Sequence, residues 1–400
     1  MLKDRLRLFR VAKGFSMDKL AEATDGKVSK QAISKYENGK MKPGPSKIVS
    51  IARALDIKAA RLLAEPQVYV EPIAYRKKSK LGVKEMSRVK SLMQLRVEVA
   101  IKIRAFGDGE MGRDHILPGQ FFSSVEEAED AALEIRNSWD LGKDPIPNVL
   151  DTLEQNGITV LFLEGDKDKK FDGLSAWIKN EEDKTIGAVI AVRTGVSGAR
   201  QRMNLAHELG HLVQLPESTC DEEKAAFRFA GAFLAPKALV LSDWGKTQRS
   251  ASLDELILLK KRYGMSLQAI ARRLLDLKLI SRSTYTSLNI EINRAGYKTW
   301  EPLDDEMKPE RSTLSTLHAL RALRYGVISR EEYRLFVGDK EPAGIKPERA
   351  IPDSAADKMA GKELDAGDIE VLNDCYGSEE SRLWEETDVA STEKMRPKKR

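Results

Sequence analysis

Residues 203 to 214, Met-Asn-Leu-Ala-His-Glu-Leu-Gly-His-Leu-Val-Gln, decide how the rest of the chain is read. They hold two of the four histidines in 400 residues, spaced as His207-Glu208-Leu209-Gly210-His211. On a helix, positions i and i+4 lie one turn apart on the same face, so both imidazoles can reach one zinc ion at roughly 2.0–2.1 Å. Glu208, one residue past the first imidazole, is placed to act as general base on water activated by that metal. Two histidines on a buried helix can also be ordinary core residues. The chemical reading therefore needs a third ligand from elsewhere in the chain.

That ligand is expected a short way downstream. Cys220, Asp221, Glu222 and Glu223 all precede a strongly apolar helix, Ala225 to Leu234, that stops at Pro236. Glu223 has Ala226, Phe227 and Ala230 at i+3, i+4 and i+7, which sets it on the apolar face. Glu222 shares part of that face, whereas Asp221 aligns with Lys224 and Arg228 toward solvent. Spacing favours Glu223 over Glu222 only slightly, and both stay open at this point.

Upstream of the metal helix the period changes from helical to alternating. Val125 to Trp139 and Ile146 to Gln155 read as helices, and Ile158 to Leu163, Leu174 to Ile178 and Ile186 to Val192 as strands. Helices, a small sheet and then the metal helix form the order of an α+β zincin-like metallopeptidase core, placed at residues 123–245. An extended substrate segment could pair with an exposed edge of such a sheet. Downstream, Leu253 to Leu279, Tyr285 to Ala295, Ser312 to Tyr325 and Arg330 to Phe336 read as a helical C-terminal extension, residues 246–338. Charges, prolines and small residues dominate 339–400, which reads as a disordered tail.

Charge separates the beginning of the chain from this body. Residues 1–80 carry 19 Lys/Arg against 8 Asp/Glu, a net of +11, while the whole chain has only +5. A basic first segment on a mildly acidic body points to a polyanionic partner for that segment alone. Residues 1–66 hold five short helical patterns: Leu2 to Lys13, Met17 to Thr24, Lys30 to Glu37, Pro45 to Leu55 and Lys58 to Leu63. Ser16 and Ser29 stand at N-cap positions, and Pro45 opens its helix. Residues 67–122 read as linker plus one long amphipathic helix, Gly82 to Phe106, which can serve as a homodimer surface or as an internal brace.

Two cysteines far apart, Cys220 and Cys375, fit a reduced compartment without a disulfide framework. No apolar run approaches the roughly 18 residues of a membrane span, and Met1 to Arg5 lack the apolar core of a signal peptide. The expectation is a cytoplasmic protein with no membrane partner.

The words of the first segment resemble the Xre/Cro-repressor type of helix-turn-helix domain over residues 2–66. They include Leu-x-x-Phe-Arg-x-x-Lys-Gly-Phe-Ser at 6 to 16, Tyr36-Glu37-x-Gly39 and Ile51-Ala52-x-Ala54-Leu55. The resemblance implies that the helix from Ser29 to Tyr36 is a recognition helix, turning Ser29, Lys30, Gln31, Ser34 and Lys35 toward the major groove of an operator in double-stranded DNA. Met17 departs from the glutamine common at its position.

Residues 125–236 resemble the ImmA/IrrE family of metallopeptidases. The resemblance rests on Ala-x-x-Ile-Arg-x-x-Trp-x-Leu-Gly-x-x-Pro-Ile at 132 to 146, Asp-Gly-Leu-Ser at 172 to 175, Arg200-x-Arg202, the histidine motif, and Glu-x-x-Ala-x-x-Phe-Ala at 223 to 230. It implies that Glu223 is the third zinc ligand beside His207 and His211, that Glu208 is the catalytic base, and that the substrate is a protein such as a transcriptional repressor. Phe227 replaces the asparagine usual in the last motif, and Ala235 the usual methionine. Tyr263, Tyr285, His115 and the Arg200/Arg202 pair are candidate oxyanion donors. The sequence thus reads as a DNA-binding regulator fused to a zinc endopeptidase, with Zn2+ as cofactor. A rival reading is a transcription factor or antitoxin whose zinc fold senses or binds without proteolysis. A third is a chain that cleaves itself between its linker and its helical body.

Overall fold

The structure, a computed structural model, describes residues 2–73, 82–106, 122–164, 172–214 and 221–338. The tail at 339–400, the loops around 107–119, His115 and Cys220 lie outside the described residues. The chain is multi-domain and divides into two units. The first comprises residues 2–67, 83–95 and 323–338, the second residues 68–73, 96–106, 122–164, 172–214 and 221–322, with Gly82.

In the first unit, helices α1 (Leu2–Ala12), α2 (Met17–Ala23), α3 (Lys30–Glu37), α4 (Pro45–Leu55) and α5 (Ala59–Leu63) enclose one apolar core. Leu6, Phe9, Leu20, Ile33, Ile48, Ile51 and Leu62 are its buried members. Ser16 accepts from the Lys19 amide and Ser29 from the Ala32 amide, so both helices start where the caps were expected. The Arg10 guanidinium reaches from α1 to the Glu37 carboxylate with bonds of 2.5 and 2.7 Å and donates to the Phe15 carbonyl at 2.8 Å. That contact explains why an Arg in α1 and a Glu in α3 belong together in one pattern. Met17 packs partly against the core, which accounts for an apolar residue there.

The second unit is α+β. Its sheet has the order β1-β3-β4-β2, from β1 (Val68–Pro72), β2 (Ile158–Leu163), β3 (Gly173–Asn180) and β4 (Thr185–Arg193). The β3–β4 and β1–β3 pairs are antiparallel, and β2–β4 is parallel. Helix α6 (Val83–Phe106) gives its first half to the first unit and its second half to this one. Helices α8 (Val149–Gln155) and α9 (Gly198–Val213) pack on the sheet, and α7 (Ala128–Ser138) and α10 (Glu222–Leu234) pack on each other and on α9. They are followed by α11 (Lys237–Trp244), α12 (Leu253–Tyr263), α13 (Leu267–Asp276) and α14 (Arg282–Arg294). Helix α15 (Thr313–Arg324) crosses the division, and α16 (Arg330–Val337) belongs to the first unit, where Arg61 donates to Glu331 at 2.6 Å. No single helix among the described residues is long and apolar enough to cross a membrane.

Three sequence expectations change. The stretch read as linker contains β1, because Pro72 lies where an edge strand tolerates proline. Ile73 donates to the Ser175 carbonyl, and the antiparallel alternation then turns the Pro72 nitrogen away from β3. The helix read from Leu253 to Leu279 is two helices. Gly264 adopts φ +67° as the cap of α12, and Ser266 starts α13 by accepting from the Ala269 amide. Finally, α16 leaves the helical extension to which sequence order assigned it, since the ion pair from Arg61 to Glu331 spans 270 positions and no local pattern reveals it.

Candidate metal centre and nucleic-acid face

Helix α9 starts at the Ser197 cap and runs through both histidines, and almost all of it is buried. Helix α10 crosses it closely because Gly210 has no side chain. A Cβ at that position would lie 3.1 Å from Phe229 Cδ1 and 3.2 Å from the Ala226 Cα. Phe229 stacks between Phe122 and Phe233, with centroids 5.9 Å away on each side, and pins α10 in the core. Two buried guanidinium groups take carbonyls at the end of α10. Arg136 donates to Phe233 O at 2.6 Å, and Arg273 donates to Ala235 O at 2.8 Å. Positive charge at a helix C-terminus is favourable, and these carbonyls otherwise lack partners. This assigns the Arg of the Ile-Arg pattern at 135–136 to fixing α10.

With α10 so placed, its first turn faces the histidines. The Nε2 atoms of His207 and His211 are 3.0 Å apart with rings at 89°. Glu223 brings Oε2 to 3.5 Å from His207 Nε2 and Oε1 to 3.6 Å from His211 Nε2. A tetrahedral site with bonds of about 2.0–2.1 Å has edges of about 3.3–3.4 Å, so these separations fit three ligands around a small divalent cation. Two buried imidazole nitrogens facing each other beside a carboxylate form a donor set suited to zinc. Asp221 caps α10 through the Lys224 amide and pairs with Lys224 at 3.3 Å, while Glu222 lies outside the cluster. Burial and the neighbouring His207 push His211 down to about 3, leaving a neutral ring. Contact with His207 holds the Glu223 carboxyl below its usual range.

The Glu208 carboxylate is buried against β3. A Cβ on Gly173 would overlap it, coming within 2.7 Å of Glu208 Cγ and 2.8 Å of Cδ. Asp172, just before that glycine, pairs with Arg200 at 3.0 Å and Arg193 at 3.3 Å, and Asn204 donates to its carbonyl at 3.4 Å. The Asp-Gly words thus tie the start of β3 to α9 and leave room for Glu208. The signal in the sequence for this close approach is a glycine at the first position of a strand.

Phe227 stands over His207 with centroids 4.1 Å apart and keeps 52% of its surface exposed. The His207 Nδ1 is buried and has no hydrogen-bond partner among the described residues. A metal-bound histidine ordinarily donates its other nitrogen to an oxygen; among the described residues His207 instead has the tilted Phe227 ring, at 40°, against its own.

The oxyanion candidates fare differently. Tyr263 is buried and donates to Asp243 at 3.0 Å, and burial raises its pKa further. Arg202 is committed to the Ile146 and Pro147 carbonyls and to Glu310 at 2.5 Å. Arg200 keeps half its side chain exposed while pairing with Asp172. Tyr285 packs partly buried against the core.

In the first unit, Thr24 braces the turn between α2 and α3 by accepting from the Val28 amide at 3.1 Å. Ile33 and Tyr36 of α3 point into the core, and Lys30, Gln31 and Lys35 are exposed on the other side. Lys30 pairs with Asp18 at 2.9 Å, Ser29 serves as the cap of α3, and half-buried Ser34 accepts from Asn38 at 3.4 Å.

Comparison with known families agrees with this division. Residues 6–62 match the family model described as helix-turn-helix, and residues 153–275 match the IrrE N-terminal-like domain, a peptidase family model. No curated protein and no solved structure matches the chain. The two matches give the order of domains: an Xre-type helix-turn-helix domain ahead of an IrrE/ImmA-like peptidase domain.

Proposed function

We propose that the chain is a DNA-binding transcriptional regulator joined to a zinc endopeptidase that cleaves another regulatory protein, such as a repressor. The observation that carries this reading is the meeting of His207, His211 and Glu223 within one small cluster, with Glu208, next to His207 in the chain, packed against Gly173.

His207 and His211 would give imidazole nitrogens and Glu223 a carboxylate oxygen as ligands. A zinc ion held by them would supply Lewis-acid activation of water and of the peptide carbonyl. Glu208 accepts a proton from the attacking water at its carboxylate and passes it to the leaving amine. Burial of Glu208 and the close approach of Gly173 restrict that carboxylate to one place, which favours repeated proton transfer along one path. Exposed Lys30, Gln31 and Lys35, with Ser29 and Ser34, form the face of α3 offered to the major groove of an operator. The two widely separated cysteines support a cytoplasmic setting.

Co-expression of the chain with candidate repressors tests the peptidase reading. Glu208→Gln is expected to retain metal and abolish cleavage. Cleavage that persists in that variant would sink it, and absence of cleavage by the parent chain with operator binding intact would favour a sensing role for the metal fold.

A further inference from the structure

Strand β1 is the unusual member of the sheet. It is an edge strand supplied by the segment that joins α5 to α6, and it is thinly held. Among its residues only Val68 is buried; Tyr69 and Glu71 are exposed, and Val70 and Pro72 are intermediate. Glu71 pairs with Lys179 at 2.8 Å, and Lys179 also contacts Asp183. By contrast β2, at the opposite edge, is buried along nearly its whole length.

The direction of β1 matters as much as its weak attachment. Its register with β3 runs from Val68 opposite Asn180 to Pro72 opposite Ala176, and Ile73 then donates to Ser175 O. Two positions further along the same outer line is Gly173, the residue against which Glu208 lies. Any extended chain laid on this edge antiparallel to β3 is therefore led past the proposed catalytic base. Pairing with a strand edge supplies main-chain hydrogen bonds that do not depend on the sequence of the added segment.

We propose that the β3 edge is the docking line for an extended, unstructured segment of the protein substrate, and that β1 is an inhibitory strand that must leave it first. This rests on the peptidase reading above. Displacement exchanges one set of antiparallel backbone hydrogen bonds for another, so its cost lies in uncovering Val68 and the partly buried Ile73 and in breaking the Glu71–Lys179 pair. Both are small beside the rest of the unit's core. Since α5 ends at Leu63 and β1 begins at Val68, a short stretch of chain ties the inhibitory strand to the helix-turn-helix domain.

A reversible lock tests the idea in the full chain loaded with zinc. Pro72 and Ala176 are Cα partners at a position without mutual backbone hydrogen bonds, where a disulfide is sterically feasible. Pro72→Cys with Ala176→Cys is made together with Cys220→Ser, Cys375→Ser and Glu208→Gln, and binding of fluorescent β-casein, an unstructured protein, is followed by anisotropy. Binding is expected to weaken at least tenfold on oxidation and to recover on reduction. Equal binding in the two states, or none in either, overturns the proposal. Should the cysteine pair prevent folding, Glu71→Lys in the Glu208→Gln background replaces the ion pair with Lys179 by two like charges and is expected to tighten binding severalfold; unchanged binding there overturns it equally. The same lock with Glu208 restored separates the two readings. Lock-dependent binding without cleavage in the reduced state would count against the peptidase, and cleavage indifferent to the lock against the inhibitory strand.

Discussion

The carboxylate of Glu208 occupies the space that a side chain on Gly173 would need. Because α9 is almost entirely buried and the overlapping atoms all belong to the Glu208 side chain, a methyl group at Gly173 is accommodated by moving that side chain. Gly173→Ala is therefore expected to displace Glu208 while leaving the three ligands in place. A displacement of about 1 Å at a catalytic group can cost about 10²-fold in rate. Cleavage measured beside metal content checks this: the first should fall by roughly two orders of magnitude and the second stay constant. A variant that cleaves normally would show that the close packing has no catalytic consequence.

Glu223 and Glu222 are neighbours in sequence with different surroundings, since only Glu223 joins the histidine cluster. Glu223→Ala should lose zinc on dialysis, and with it the stabilisation that a ligand bound only to the folded state provides. Glu222→Ala should keep both. Elemental analysis and thermal unfolding of the two variants decide the matter, and equal zinc loss in both would contradict it.

Among the described residues His207 Nδ1 has no hydrogen-bond partner, and Phe227 lies against its ring. Phe227→Asn would set an amide carbonyl near that nitrogen. Outer contacts of this kind are worth roughly 10- to 100-fold in metal affinity, so a gain of up to about tenfold is expected in competition with a chelator. Weaker binding would mean that stacking by Phe227 orients His207 better than an amide can.

Burial pushes the Glu154 carboxyl up to about 7, although Ser312 donates to it at 2.6 Å and Arg104 lies near. A carboxyl raised in the folded state keeps a proton that the unfolded chain gives up near 4.5. Stability is therefore fully present below the unfolded value and is lost as pH rises from about 4.5 through about 7. Glu154→Gln retains an acceptor for Ser312 and removes the titration. It should be the more stable form at pH 8 relative to pH 5, by an amount on the order of 2 kcal/mol. Parallel denaturant curves at the two pH values would refute this if wild type and variant changed alike.

For the first unit, Gln31→Ala and Lys35→Ala are expected to act differently on operator binding. Loss of a base-reading Gln costs about 1–3 kcal/mol and relaxes sequence preference. Loss of a phosphate-contacting Lys weakens all sequences and lowers the salt dependence by about one charge. Titrations on operator and random duplex at several salt concentrations distinguish these outcomes. Identical behaviour of both variants on both duplexes would argue against α3 as the reading helix.

Local chemistry was legible wherever its determinants lie close together in the chain. The i, i+4 histidines, the caps at Ser16 and Ser29, and the five short apolar periods of the first unit could all be read from adjacent residues. The choice between Glu222 and Glu223 was not, because it depends on the crossing of α9 and α10 that Gly210 permits. The role of Gly173 was hidden for the same reason: its partner is 35 positions away and meets it only when β3 lies against α9. Strand β1 was missed because Pro72 reads locally as a breaker, and only its place at the sheet edge, with its nitrogen turned outward, makes it harmless. The sequence by itself determined two histidines that can share a metal and a basic helical domain ahead of them. Tertiary packing decided which carboxylate joins the cluster, where Glu208 is held, and which strand covers the edge of the sheet, since each depends on segments distant in the chain being pressed together.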